Sequence, residues 1–119
     1  MFLPLIGPRL HGWLDDVVVL VYLLGAFFLH LRGAALAVAL GGAGFHFLLT
    51  RFTDYPQGTF KVIPFRVHAF LELGEGLAVI VATSRVVPAH GSAASVFLLF
   101  MGVAQLGAFS FSNYDGVPA

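Results

Sequence analysis

Apolar residues run along this chain in four long stretches, each broken by only a few polar positions. A helix needs about 20 mostly apolar residues to cross the hydrocarbon of a bilayer. The chain supplies that length over residues 9–31, 33–52, 63–84 and 92–112. Backbone amides find no water inside lipid, so spans of this kind are helical. The second connection, residues 53–62, is the longest and holds the turn-rich run TDYPQGT. The connections before and after it are short, so neighbouring spans run antiparallel. The pattern predicts an all-α fold, a transmembrane four-helix bundle forming one integral membrane domain over residues 1–119.

The polar interruptions are not scattered. Arg9-x-His11-x-x-Leu14-Asp15 returns as Arg66-x-His68-x-x-Leu71-Glu72, and Phe52-Thr53-Asp54-Tyr55 returns as Phe111-Ser112-Asn113-Tyr114. The same register sets His46 opposite Gln105. The fold is therefore read as two pseudo-repeated helical hairpins, with halves at about 1–58 and 59–119. Parallel repeats of this kind are related by an axis along the membrane normal.

Residues four apart on a helix share a face. His11 and Asp15 are so placed, as are His68 and Glu72, with Glu75 one further step along. Ala35, Ala39, Gly42, His46, Thr50 and Thr53 form one stripe of the second span. Rise along the helix puts these groups at similar depth, with Gln105 approaching from the fourth span. Ionisable groups inside a membrane are expensive and face the interior of a bundle. Asp15, Asp16, Glu72 and Glu75 are expected there, offset by the three histidines and by Arg9 and Arg66.

That layer reads as a site for a metal cation or redox cofactor. The candidate ligands are His11, Asp15, His46, His68, Glu72 and Glu75. Imidazole and carboxylate donors without sulfur suit zinc, iron or manganese. A haem b held by His46 with His11 or His68 is a narrower version. Two other readings stay open. The layer is a self-satisfied network that locks a structural or accessory subunit of a larger membrane complex, or it is a proton or cation pathway, which in so small a chain needs a homo-oligomer. His30 and His90 read as solvated residues near short loops, Trp13 as an interfacial anchor, and Asp54 as a partner for Arg51, Lys61 or Arg66.

Composition narrows the class further. Hydrophobic residues make up 59% and charged residues 10% of the chain, against about 25% charged in ordinary soluble domains. The partner is thus a lipid bilayer. Six basic and six acidic side chains leave no net charge to attract nucleic acid, and zero cysteines exclude disulfides and thiolate sites. A cleaved leader is not expected, because no Lys or Arg stands early and Asp15 and Asp16 interrupt the first apolar run. Arg9, Arg51, Lys61 and Arg66 lie on the side of the termini, and only Arg32 and Arg85 on the other. The positive-inside rule then puts both termini in the cytoplasm.

Arg9, His11, Gly12 and Asp15, then Thr53 to Gly58, then Ile63, Pro64, Phe65, His68 and Glu72 form a set. In this set the chain resembles a group of small bacterial four-span membrane proteins with RxHGxxD, TDYPxG and IPFxxHxxxE motifs, and more distantly SPW-repeat membrane proteins. The resemblance implies a bacterial inner-membrane bundle with this polar layer and carries no reaction. Asp16 stands where that group suggests an aromatic residue.

Overall fold

The computed structural model describes residues 5–115. Among them are four helices, α1 (Pro8–Phe28), α2 (Gly33–Phe52), α3 (Phe65–Val86) and α4 (Ala93–Phe111). All four are long and apolar enough to cross a membrane. Their 19 to 22 residues span about 30 Å at 1.5 Å per residue, the thickness of a bilayer's hydrocarbon core. The first span ends earlier than the apolar pattern suggests. His30 takes a left-handed φ of 52°, and Leu31 N–H turns back to the Ala26 carbonyl, a common way to close a helix. The third starts two residues later: Pro64 is the N-cap with an extended ψ of 144°, and the residue before a proline is itself held out of the helical region.

The closest packing is between α1 and α2 and between α3 and α4, the two hairpins. They are tied to each other by matching backbone contacts at one end of the bundle. Ile6, just before α1, bridges Ser112 after α4, while Ile63, just before α3, bridges Thr53 after α2. Ile6 N–H bonds the Phe111 carbonyl and Ile63 N–H bonds the Phe52 carbonyl. The start of each hairpin is thus fastened to the end of the other.

Polarity is reversed relative to a soluble bundle. Leu20, Phe27, Phe28, Phe70 and Phe100 face outward, whereas His11, His46, His68, Glu72 and Gln105 are fully buried. Such an exterior suits lipid chains. Inside, the half far from the bridges is apolar, built on Ala35, Ala39, Val79, Leu98 and Met101 around Tyr22. The half near the bridges is polar.

Small residues set the helix separations. A Cβ on Gly102 would stand 2.9 Å from the Gly76 carbonyl oxygen and 2.6 Å from Ile80 Cγ1, so the α3 and α4 backbones need glycine there. Gly58 closes the turn after Tyr55, where a Cβ would overlap the Thr53 carbonyl oxygen. Gly12 leaves space that the Gln57 side chain fills, which docks the long loop against α1. Gly102→Val is expected to lower stability by about 1–3 kcal/mol through overpacking, read by thermal unfolding in detergent. Gly107→Ala, whose Cβ meets open space, is the control and is expected to be neutral or stabilising.

Candidate metal centre

His11 and Asp15 lie near the start of α1, His68 and Glu72 near the start of α3. One helical turn separates the members of each pair, so both point inward. All four are buried, and each offers one ligand atom within 4.8 Å of the other three, a group that could hold a metal ion. His11 Nε2 lies 2.9 Å from Glu72 Oε2, 3.4 Å from Asp15 Oδ1 and 3.2 Å from His68 Nε2. His68 Nε2 lies 3.3 Å from Asp15 Oδ2 and 3.4 Å from Glu72 Oε2.

The outward nitrogens decide what the inward ones present. His11 Nδ1 meets Ser112 Oγ at 2.6 Å, and that hydroxyl donates to the Ala108 carbonyl. His68 Nδ1 meets Thr53 Oγ1 at 2.8 Å, and that hydroxyl donates to the Leu49 carbonyl. A hydroxyl has one hydrogen. Each is given to a carbonyl one turn back, so each oxygen accepts from its imidazole. Nδ1 then carries the ring hydrogen, and a neutral ring turns its Nε2 lone pair into the cluster. Two lone pairs and two carboxylates converge, and Glu72 Oε1 is buried without a hydrogen-bond partner among the described residues.

Two phenols close the site on the bridged side. Tyr55 donates to Asp15 Oδ2 at 2.7 Å and Tyr114 donates to Glu72 Oε2 at 3.2 Å. Burial raises the pKa of both well above the ordinary phenol range, and the Asp15 and Glu72 charges beside them raise them further. Both therefore stay donors. The two phenols pack on Phe65, which sits edge-on to His11.

His46 and Glu75 form an arm beside this group. His46 Nε2 contacts Asp15 Oδ1 and His46 Nδ1 contacts Glu75 Oε1, both at 2.9 Å. Gln105 donates to Glu75 Oε2 at 2.5 Å and accepts from Tyr22 at 2.7 Å. The expected residues thus come together from four helices, with His46 bonded to Asp15 of the four-residue group and Glu75 joined to it through His46.

Three expectations need correction. Asp16 is not in the buried layer: its side chain is 40% exposed and pairs with Arg51 at 2.7 Å, because it stands one step around α1 from Asp15. Arg9 and Arg66 do not offset the buried acids. Arg9 is exposed, and Arg66 pairs with Asp115 at the surface. Asp54 is also exposed, and Arg51 and Arg66 take Asp16 and Asp115 in its place. His30 and His90 are exposed as expected. Sequence reasoning did not assign Thr53 and Ser112 to the imidazoles, nor Tyr22 to Gln105. The first two stand at matching places in the FTDY and FSNY repeats, which was the available signal.

Comparison with models of known protein families, with curated proteins and with solved structures finds no match to this chain.

The adjacent aspartates give a direct test of this geometry. Asp15→Ala strips His46, His68 and Tyr55 of a buried acceptor and is expected to cost about 3–5 kcal/mol. Asp16→Ala breaks a half-exposed pair and is expected to cost less than about 1 kcal/mol. Unfolding of both variants in the same detergent checks the contrast.

Proposed function

We propose that this protein is an integral membrane metal protein in which His11, Asp15, His68 and Glu72 hold one divalent transition-metal ion. The observation that carries this reading is the convergence of four acceptors on one point, each imidazole steered there by a hydroxyl behind it. Zinc bonds of about 2.0–2.1 Å to nitrogen place tetrahedral ligands about 3.3–3.4 Å apart. Five of the six pairs among these groups approach to 2.9–3.4 Å, Asp15 turning Oδ1 to His11 and Oδ2 to His68, and one ligand atom from each lies within 4.8 Å of the others. A dication between two neutral imidazoles and two carboxylates leaves no net charge, which removes most of the penalty of burying the acids.

The donor set suits zinc, iron or manganese. Hydroxyls behind the imidazoles and phenols on the carboxylates are the outer partners that metal ligands use for orientation. Four protein ligands close a tetrahedral sphere, as in structural rather than hydrolytic sites. The reading is therefore a stabilising or electron-carrying ion. An ion is favoured over haem b because His46, the ring that either haem pair needs, has both nitrogens engaged, Nε2 by Asp15 and Nδ1 by Glu75, each at 2.9 Å.

The rival reading, a structural or accessory subunit with a self-satisfied network, has support from the His46–Glu75–Gln105–Tyr22 arm. That arm is saturated by its own hydrogen bonds. The family resemblance, a bacterial inner-membrane setting and cytoplasmic termini belong to the same proposal. Arg9, Arg51, Lys61 and Arg66 on the bridged side support that orientation.

Purified protein, reconstituted with zinc, ferrous iron or manganese, is expected to retain about one ion per chain. His68→Ala is expected to lose it, and a chelator to lower the wild-type melting temperature. Wild type that retains no stoichiometric ion with any of the three sinks the metal reading and leaves the closed network. Orientation is checked separately. With no native cysteine, Asp115→Cys is expected to react only with reagents on the cytoplasmic side and His90→Cys only from the opposite side.

A further inference from the structure

A metal ion held by His11, Asp15, His68 and Glu72 must first reach them, and all four are buried. The lipid-facing walls give no polar path, since Leu10, Val67 and Phe70 stand outward on α1 and α3 beside these residues. The far half of the interior, around Tyr22, is apolar. An ion crossing either would lose its water with no donor to replace it. The bridged end remains, where Tyr55 and Tyr114 cover the carboxylates.

The two covers are not equally fastened. Tyr55 lies in a loop tied at both ends. Thr59 and Phe60 N–H groups bond the Arg51 carbonyl, and Asp54 N–H bonds the Ile63 carbonyl. Gln57 docks over Gly12, and the phenol is 2.7 Å from Asp15. Past Ser112, among the described residues, the segment bearing Tyr114 is joined to other backbone by Asn113 N–H on the Ile6 carbonyl. Its phenol is 3.2 Å from Glu72. Its outermost tie is the Arg66–Asp115 pair at 3.0 Å, with side chains 73% and 75% exposed. Exposed pairs of this kind hold by less than about 1 kcal/mol.

A cavity of about 220 Å³ adjoins the weaker cover, between Arg66, Ala69 and Phe70 of α3 and Tyr114 and Asp115. At the density of liquid water this is space for about seven molecules, enough for an ion with its inner hydration. Tyr114 is the partition, because it lines the cavity while its hydroxyl bonds Glu72. Ala69, also in the lining, stands three residues before Glu72, so the two share a face of α3. Glu72 Oε1 is buried without a hydrogen-bond partner among the described residues, an acceptor ready for a cation.

We propose that the ion enters and leaves between α3 and the segment after α4, with Tyr114 as the gate over Glu72 and the Arg66–Asp115 pair as its latch. This route rests on the metal reading. When the pair parts, the segment loosens and Tyr114 swings aside to expose Glu72. Tyr55 stays in place and keeps Asp15 oriented.

The test follows loading and chelator-driven release of zinc from the full chain in detergent, or of ferrous iron or manganese where wild type retains that ion instead. In a chain with no native cysteine, Arg66→Cys and Asp115→Cys are joined by a short bismaleimide and compared with the same variant capped by N-ethylmaleimide. Loading and release are expected to slow together by about tenfold or more, as for ligands behind a closed lid, with the amount bound at equilibrium unchanged. A gate alters both rates and leaves their ratio, whereas a partner of the ligands alters affinity. The same reagent across the other loop, joining Asp54→Cys and Lys61→Cys, is expected to leave both rates as they are. Asp115→Asn is expected to speed both by up to about fivefold, the factor an exposed ion pair supplies. Unchanged rates in the first bridged protein overturn the route, and so does slowing by the second bridge alone. Wild type that retains none of the three ions removes the metal reading itself, and the route with it.

Discussion

Burying Asp15, Glu72 and Glu75 in a bundle whose exterior is hydrocarbon-like is the constraint on which the rest of the structure depends. A carboxylate near the middle of a membrane helix is penalised by several kcal/mol unless it is matched. Surface arginines do not supply the match, since they are engaged at the rim with Asp16 and Asp115. The matching groups are imidazoles and phenols drawn from all parts of the chain. This explains why so much backbone organisation gathers at one end. The two bridges, the turn closed by Gly58 and the docking of Gln57 over Gly12 bring Thr53, Tyr55, Ser112 and Tyr114 to within bonding distance of the layer.

The two halves of the interior divide the work. The apolar half holds the helices in register through alanines, glycines and a few large side chains around Tyr22. The polar half supplies direction, since each hydrogen bond there constrains both the ring that makes it and the helix that carries the ring. Tyr22 joins the two, with its ring in the apolar cluster and its hydroxyl on Gln105. A closed polar network inside a low-dielectric core is stable only when every member is served, and in the four-residue group Glu72 Oε1 is buried with no hydrogen-bond partner among the described residues.

Much of this was legible in the sequence. Four apolar runs separated by turn signals determine the helices, and the His-x-x-x-acid spacings determine the inward faces of α1 and α3. His46 and Gln105 followed from the second stripe and from the repeat. What was not legible has a common physical cause. Asp15 and Asp16 are chemically alike, and only rotation about the helix axis separates a buried acceptor for histidine from a half-exposed partner of Arg51. Thr53 and Ser112 lie beyond the helix ends, where the path of the chain depends on the bridges to Ile63 and Ile6. Arg9 and Arg66 sit beside the polar layer in sequence, but their length lets them reach outward to solvent.

The hydroxyl behind each imidazole comes from the opposite hairpin: Ser112 serves His11 and Thr53 serves His68. A single hairpin therefore carries a ring whose outer nitrogen it cannot orient by itself. One helical pair made alone would finish such a centre only by embracing a twin, so two joined halves amount to a dimer written into one polypeptide. The halves differ where the centre does not constrain them: the register that matches them sets His46 opposite Gln105.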